Sequence, residues 1–585
     1  METIDDLGQY TFPALLNNSV KKFGDRPALT YALKDEEPIT YNKMAENALN
    51  FSKQLFALGL KKESKIALYG IGCPAWGTAY FGIVNRGMIS VPLLPDFSSA
   101  EVKSILDHCQ CDALIVDKTL YKKLSDIQEN LPPIVISLNN FSVIKAPVPV
   151  PSEDEIKKVE LPEINIEEDS IASIIYTSGT TGRSKGVVLT HKNLVWTAIQ
   201  GQYTHRINKL DRVLSFLPIS HVYEFTIGFL MQILNGACIY YLAKPPVVSS
   251  LLPAFAKVKP TIILSVPLVM EKIYKNKVLP TFEKNRFVKF LYSIPMFRRI
   301  LNRVAGKSLK KTFGGHLQFF GIGGAKVDPK VERFMKEAKF PYAIGYGLTE
   351  TSPLLASSGV RITKPGTIGV IVPGVDLQIA NPNEEGVGEV VAKAPNVMVG
   401  YYKDDALTKA AFTTEEDSCG PGYFKTGDLG VIKNWHRVPR LSLKGRSKNM
   451  ILSASGENIY PEDIEFILNQ HPLVAESLVV EDDNGLVALL QMDEEKLEEE
   501  AKRRLSLSEL KDDLQEKATA KKEEIQDKLA YQKEVIMNEI KFFVNKQVNK
   551  TSKIDRIETI KQFEKTASQK IKRYLYDLRS KVTKR

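Results

Sequence analysis

IIYTSGTTGRSKGVVLTHKNL, running from Ile174 to Leu194, decides how the rest of the chain is read. Ile174 to Tyr176 reads as the end of an apolar strand. The residues that follow combine Thr and Ser hydroxyls with Gly179, Gly182, Gly186 and Lys185. Glycines let backbone amides approach a phosphate closely, hydroxyls donate further hydrogen bonds, and a lysine supplies charge. Thr177, Ser178, Gly179, Thr180, Thr181, Gly182 and Lys185 are therefore candidates for a phosphate cradle. No GxxxxGK[ST] spacing runs through them, so this is not the common P-loop. A flexible linker could share the composition, but here the loop is expected between a buried strand and a helix that Thr190 can cap.

Outward from this loop, about Pro27 to Val390 alternates short β-branched runs with helical stretches, as in KIALYGIG, AWGTAYFGIVNRG and MISVPLL. Such alternation predicts an α/β architecture of helices packed on mainly parallel sheets. Gly386 to Lys448 is richer in glycine and short strands and predicts a smaller β-rich subdomain. From Glu494 to about Val548 the chain is rich in Lys, Glu, Leu and Ala, with no Gly or Pro after Gly485, and reads as long helix. Ile525, Leu529, Ile536, Ile540 and Val544 recur at spacings of four and seven, enough for one buried stripe but too few heptads for a coiled coil.

At 585 residues, 43% hydrophobic and 25% charged, the chain suits two to four globular units. The opening METIDDLGQY is acidic where a secretory leader needs positive charge, so a cytoplasmic protein beginning near Met1 is expected. Phe225 to Leu242 carries no charge and approaches the span of a bilayer. Asn235 and Gly236 interrupt it, which predicts a buried helix followed by a buried strand. The five cysteines are odd in number and scattered, in keeping with a reducing compartment. His108, Cys109 and Cys111 lack a second ligand pair and read as packing residues. A net charge of +10 suits polyanionic ligands or an anionic membrane surface touched from the periphery. No nucleic-acid-binding motif accompanies it, so nucleic acid is not an expected partner. A homodimer is left open.

Five further segments complete the reading: GIGGAKVDP (Gly321 to Pro329), GYGLTET (Gly345 to Thr351), YFKTGDLG (Tyr423 to Gly430), LKGRSKNMILSASGENIYPEDIE (Leu443 to Glu465) and FEKTASQKIKR (Phe563 to Arg573). Singly, these would pass as turns, a helix start and a basic helix. Together with YTSGTTGRSKG, and in this order, they resemble the adenylate-forming superfamily of acyl-CoA synthetases, peptide-synthetase adenylation domains and beetle luciferases. The similarity is greatest to bacterial long-chain fatty-acid–CoA ligases. The resemblance implies a large N-terminal adenylation domain (1–445) and a small mobile α+β C-terminal domain (446–585). ATP, Mg2+ and coenzyme A would be its cofactors and co-substrates, and a fatty acid its other substrate.

Residue by residue, the resemblance implies that Gly323, Gly324 and Ala325 wall an adenine slot and that Tyr346 stacks on the base. Thr349 would bond the α-phosphate and Glu350 would hold magnesium. Asp428 and Arg446 would bind the ribose, and Lys448 would be the hinge. Lys570 falls on the catalytic lysine, although Glu564 and Gln569 stand where the family usually has proline and glycine. FLPISHVYEF (Phe216 to Phe225) resembles a long-chain segment in which His221 meets both acyl pocket and thiol tunnel, with Tyr223 or Phe225 gating the pocket. The following SVPLVMEKIY departs from the pattern, with Leu268 in place of the usual arginine. The expected reaction is AMP-forming ligation of a long-chain fatty acid to coenzyme A through an acyl-adenylate. Alternatives are an acyl-AMP or acyl-carrier-protein ligase, a CoA ligase for medium-chain or aryl acids, and a catalytically inactive relative that binds nucleotide or fatty acid. The intact Lys185, Glu350, Asp428 and Lys570 argue against the last.

Overall fold

The computed structural model describes residues 3–178, 184–452, 458–482, 485–512, 521–566 and 571–576. The chain divides into two compact units, the first running to Ser442 and the second formed by Leu443 onward together with Gly427–Gly430.

The first unit is built on two large mixed sheets. In the nine-stranded sheet six strands run parallel, in the spatial order Tyr342–Tyr346, Phe319–Ile322, Ile262–Ser265, Arg212–Ser215, Cys238–Tyr241 and Pro27–Tyr31. Short antiparallel strands close both edges. Successive residues serve opposite faces: Val213, Ile262 and Phe319 join one core, and Leu214, Ile263 and Phe320 join the other. That is why these strands read as continuous apolar runs rather than as alternating ones. The eight-stranded sheet centres on parallel strands Ile89–Leu93, Lys65–Tyr69, Ala113–Val116 and Ile134–Ser137. Helix Pro74–Val84 is buried along its whole length and shares one core with side chains of both sheets, which explains its lack of a polar face.

Phe225 to Leu242 folds as expected of it. Helical turns span Glu224–Leu230 and Met231–Leu234, Gly236 takes φ +79° after Asn235, and strand Cys238–Tyr241 follows. Among the described residues no helix is long and apolar enough to cross a membrane. The β-rich subdomain begins earlier than Gly386, since strand Asp376–Ala380 pairs antiparallel with Gly388–Lys393 in a four-stranded sheet completed by Phe424–Trp435 and Val438–Arg446.

The second unit has a three-stranded sheet, Val474–Asp482, Gly485–Met492 and Arg556–Thr559, covered by helices. Its long helical stretch departs from expectation by forming two helices, Glu494–Asp512 and Lys521–Asn545. Leu497 and Ala501 share one core with Ile536, Ile540 and Val544. A continuous helix would hold Leu497 and Ile540 about 65 Å apart at 1.5 Å per residue, so burying both stripes requires the chain to fold back. Arg504 fixes the pairing with two 2.9 Å hydrogen bonds to Glu539.

Candidate functional site

Thr177 and Ser178 end strand Ile171–Ser178, which pairs antiparallel with Ser184–Thr190 so that Thr177 faces Lys185 and Ser178 faces Ser184. The expected strand and Thr190-capped helix are both present, and between them lies a second strand, Ser184–Thr190, that the sequence reading did not include. The buried run Val187 to Leu189 extends the sheet first, and the helix starts at His191. Thr190 caps it: its Oγ1 accepts from Asn193 N at 3.1 Å, while Asn193 Oδ1 accepts from Thr190 N at 2.8 Å. Gly186 is needed for closeness, because a Cβ there would lie 2.9 Å from Ile174 and 3.1 Å from the Tyr176 ring. Gly179, Thr180, Thr181 and Gly182 lie outside the described residues. His108 Nδ1 lies 2.7 Å from the Tyr176 hydroxyl, and Cys109 and Cys111 are buried.

Lys185 and Glu350, far apart in sequence, are bridged by a residue that sequence reasoning missed. Lys185 Nζ sits 4.9 Å from the centroid of the Tyr401 ring, and the Tyr401 hydroxyl donates to Glu350 Oε1 at 3.0 Å. Burial and then the Glu350 carboxylate push the Tyr401 phenol up, so it stays a donor. Strand Gly400–Tyr401 places the ring by pairing Tyr401 with Val187, two residues from Lys185. The signal was the dipeptide Gly-Tyr at the edge of a β-rich segment, too common to single out. Thr349 and Glu350 occupy a short helical turn, Thr349–Thr351. Asn396 ties that turn down, its Nδ2 donating to the carbonyls of Thr351 and Leu354 at 2.8 Å each. Gly347 has no substitute, since a Cβ would lie 1.7 Å from the Pro353 carbonyl oxygen.

Gly323, Gly324 and Ala325 follow strand Phe319–Ile322, and Tyr346 ends the neighbouring parallel strand Tyr342–Tyr346. Both segments therefore leave the carboxyl ends of adjacent strands, the edge at which open α/β sheets take ligands. Gly323 is buried while Gly324 and Ala325 are exposed, and Gly324 has φ +90°. A Cβ at Gly323 would meet the Tyr223 ring at 3.2 Å. The structure thus brings Tyr223, expected in the acyl pocket, against the expected adenine wall.

The His221 segment leaves the carboxyl end of strand Arg212–Ser215 in the same sheet. His221 Nδ1 accepts from Tyr223 N at 3.2 Å. Glu224, unremarked in the sequence, is fully buried and accepts from Ser215 Oγ at 2.6 Å, its second oxygen having no partner among the described residues. Burial raises its carboxyl to about 7. Phe225 is 1% exposed, enclosed by Phe12, Trp76, Tyr80 and Phe229.

In the second unit Arg446 Nε donates to Asp428 Oδ1 at 2.8 Å, so the two expected ribose residues form an ion pair. Gly427, at φ +70°, turns the chain beside them. Lys448 is exposed in the turn Ser447–Asn449, whose Asn449 Nδ2 donates to Glu462 at 2.6 Å. Lys570 lies outside the described residues. On its two sides, Lys565 pairs with Ile571 in a β-bridge, Lys565 reaches Glu476 at 2.7 Å, and Arg573 pairs with Glu465.

Comparison with known proteins matches residues 16–402 to the family described as AMP-binding enzyme. Long-chain-fatty-acid–CoA ligase ACSBG2 of Homo sapiens is 26% identical over 82% of this chain and 76% of its own. Long-chain-fatty-acid–CoA ligase FadD15 of Mycobacterium bovis is 27% identical over 76% of this chain and 75% of its own. Among solved structures, o-succinylbenzoate CoA synthetase of Bacillus subtilis with its acyl-adenylate superposes with a TM-score of 0.70 at 21% identity, covering 97% of this chain and 98% of that one. The anthranilate CoA ligase AuaEII with anthranoyl-AMP gives 0.73 at 19% identity, covering 98% of each. These likenesses show that the chain has the fold of adenylate-forming enzymes.

Proposed function

The chain belongs to the AMP-binding enzyme family, and from that premise we propose that it is an acid–thiol ligase joining a long-chain fatty acid to coenzyme A. The observation that carries the adenylating reading is the grouping of Lys185, Tyr401 and Glu350 beside these paired strands, a cation and an anion held apart by one phenol. Relatives named as long-chain ligases, and the His221 segment, support the choice of acid.

A carboxylate is a poor electrophile, and direct attack by a thiol would have to expel oxide. In the first step the acid's oxygen forms a bond to the α-phosphorus of ATP and the bond to pyrophosphate breaks. The nucleophile is already an anion, so the protein's task is to stabilise charge on the phosphates rather than to remove a proton. Lys185 with Thr177 to Gly182 holds the triphosphate, Thr349 bonds the α-phosphate, and Lys570 serves the adenylation step. Tyr346 with Gly323, Gly324 and Ala325 takes the base, and Asp428 with Arg446 takes the ribose. In the second step the sulfur of coenzyme A attacks the acyl carbon, AMP leaves, and the thiol proton passes to solvent.

Magnesium fits this donor set. Among the described residues no group of three or more His, Cys, Asp or Glu could cage an ion. A lone carboxylate beside a triphosphate is the donor set that magnesium takes, the remaining ligands being phosphate oxygens and water. Glu350 would hold it, with one oxygen already oriented by Tyr401, and the ion would neutralise phosphate charge.

The acid would enter past His221 and Tyr223, with Phe225 and its aromatic neighbours as the wall behind. Pyrophosphate release across acids of increasing length tests this reading. Each buried methylene contributes about 0.8 kcal/mol, so affinity should rise roughly three- to fourfold per carbon until the pocket is full. A maximum with acetate or an aromatic acid would reject the long-chain assignment. The same assay on Lys570→Ala, followed by thioester formation from supplied acyl-AMP, tests a two-domain division of labour with Lys448 as pivot. Adenylation should drop by about a hundredfold or more with transfer preserved. Equal loss of both half-reactions would reject that role for Lys570.

A further inference from the structure

Helices Arg286–Ser293 and Pro295–Thr312 form an outlying pair on the first unit. Their inward faces are ordinary. Val288 and Tyr292 pack on the second apolar core, Tyr292 stacks on Phe282, and Asn302, Gly306 and Leu309 are buried along one stripe. Gly306 permits close approach, because a Cβ there would lie 2.7 Å from Ala338.

The outward faces are not ordinary. Phe287 and Phe290, one turn apart, are 66% and 63% exposed, and Met296, Ile300 and Val304 continue an exposed apolar row at spacings of four, with Phe297 beside it. Scattered exposed apolar residues are normal, but six in two consecutive helices, three of them phenylalanine, form a patch that calls for a partner. Arg299, Arg303 and Lys307 make a parallel exposed row on the second helix. From Lys284 to Lys311 there are nine Lys or Arg and no Asp or Glu. Of these, Arg298 is taken up by Glu337 at 2.9 Å.

We propose that this helix pair docks on an anionic phospholipid surface, the phenylalanines and the Met296–Ile300–Val304 row entering the acyl boundary and the basic row meeting lipid phosphates. An apolar row flanked by a cationic row, on a helix lying along the surface, is the pattern that binds at a membrane interface without crossing it. A second copy of the chain is a poorer occupant. A two-fold contact would bring the two basic rows together with no carboxylate from either segment between them. The inference goes beyond the ligase reading, and its test does not use activity.

The test is co-sedimentation of the full chain with vesicles of phosphatidylcholine alone or mixed equally with phosphatidylglycerol. The wild type should partition onto the anionic vesicles, less so in high salt, and weakly onto phosphatidylcholine alone. Each basic side chain near such a surface contributes about a fivefold factor, so Arg299→Glu/Arg303→Glu/Lys307→Glu should lower partitioning by at least about tenfold. Phe287→Ser/Phe290→Ser/Ile300→Ser should do the same with the charge unchanged. The basic C-terminal tail is present in every variant, so differences among them report on the helix pair. To guard against misfolding, Phe290→Cys carrying an environment-sensitive fluorophore should shift to the blue on anionic vesicles in an otherwise wild-type chain. Absence of wild-type partitioning, partitioning unchanged in both triple variants, or a label that stays solvent-exposed on the vesicles would overturn the proposal. So would variants that leave partitioning intact and instead lose a dimer or a complex with an acidic carrier protein.

Discussion

The His221–Leu230 segment and the Arg286–Thr312 helix pair are both rich in large apolar side chains and meet opposite fates. Phe225 is 1% exposed among four aromatic rings, whereas Phe287 is 66% exposed. Hydrophobicity alone does not decide which. From Tyr223 to Leu230 the first segment carries one acidic or basic side chain that could resist burial, Glu224, and the fold accommodates it with Ser215 and a raised carboxyl. The second carries basic residues on nearly every turn, so one face must stay at an interface with charge-stabilising surroundings.

The sharpest way to break this comparison is to truncate the buried ring. Phe225→Ala should lower unfolding free energy by about 3–5 kcal/mol, read from urea titration, because the enclosing aromatics cannot collapse into the space. A loss below about 1 kcal/mol would mean that the four neighbouring rings do not hold it in a packed wall.

Glu224 should give the next largest effect, and its sign is fixed. A buried carboxyl raised from 4.5 to about 7 favours the protonated form in the fold. The folded state therefore binds more protons than the unfolded one in that window, and stability falls as pH rises from 4.5 through 7. The span is on the order of 3 kcal/mol. Glu224→Gln should flatten this dependence in melting curves taken across the window, and an unchanged slope would show that another group controls it.

Tyr401 is buried like Phe225, at 8% exposure, but carries a polar group. Tyr401→Phe keeps the ring beside Lys185 but removes the bond to Glu350, and should cost about 1.5–3 kcal/mol of transition-state stabilisation in ATP–pyrophosphate exchange. Melting temperature should change little, which separates a positioning role from a packing one. At the far end, Phe287→Ala should leave stability within about 0.5 kcal/mol of wild type, since the ring touches little in the folded chain. A larger loss would place it in a contact within the protein and weaken the case for a lipid-facing helix pair.

Much of the fold was legible because it depends on local pattern. The apolar strands, the interruption of Phe225 to Leu242 at Asn235–Gly236 and the Thr190 cap all follow from neighbouring residues. The motif order likewise announced the family, and Asp428 and Arg446, assigned to one task from sequence, do meet. Other features depend on which distant surfaces become neighbours, and only the tertiary structure decided those. Ser184 to Thr190 became a strand because it pairs with Ile171–Ser178 on one side and Gly400–Tyr401 on the other, and one long helix became two because Leu497 and Ile540 belong to one core. Tyr401 joined Lys185 and Glu350 through strand pairing, and no local property of Gly400–Tyr401 signals that. Periodicity gives each helix an apolar face but does not say what covers it. For Arg286–Ser293 and Pro295–Thr312 the fold covers one stripe and leaves the other facing outward, because the core beneath has room for only one side of each helix.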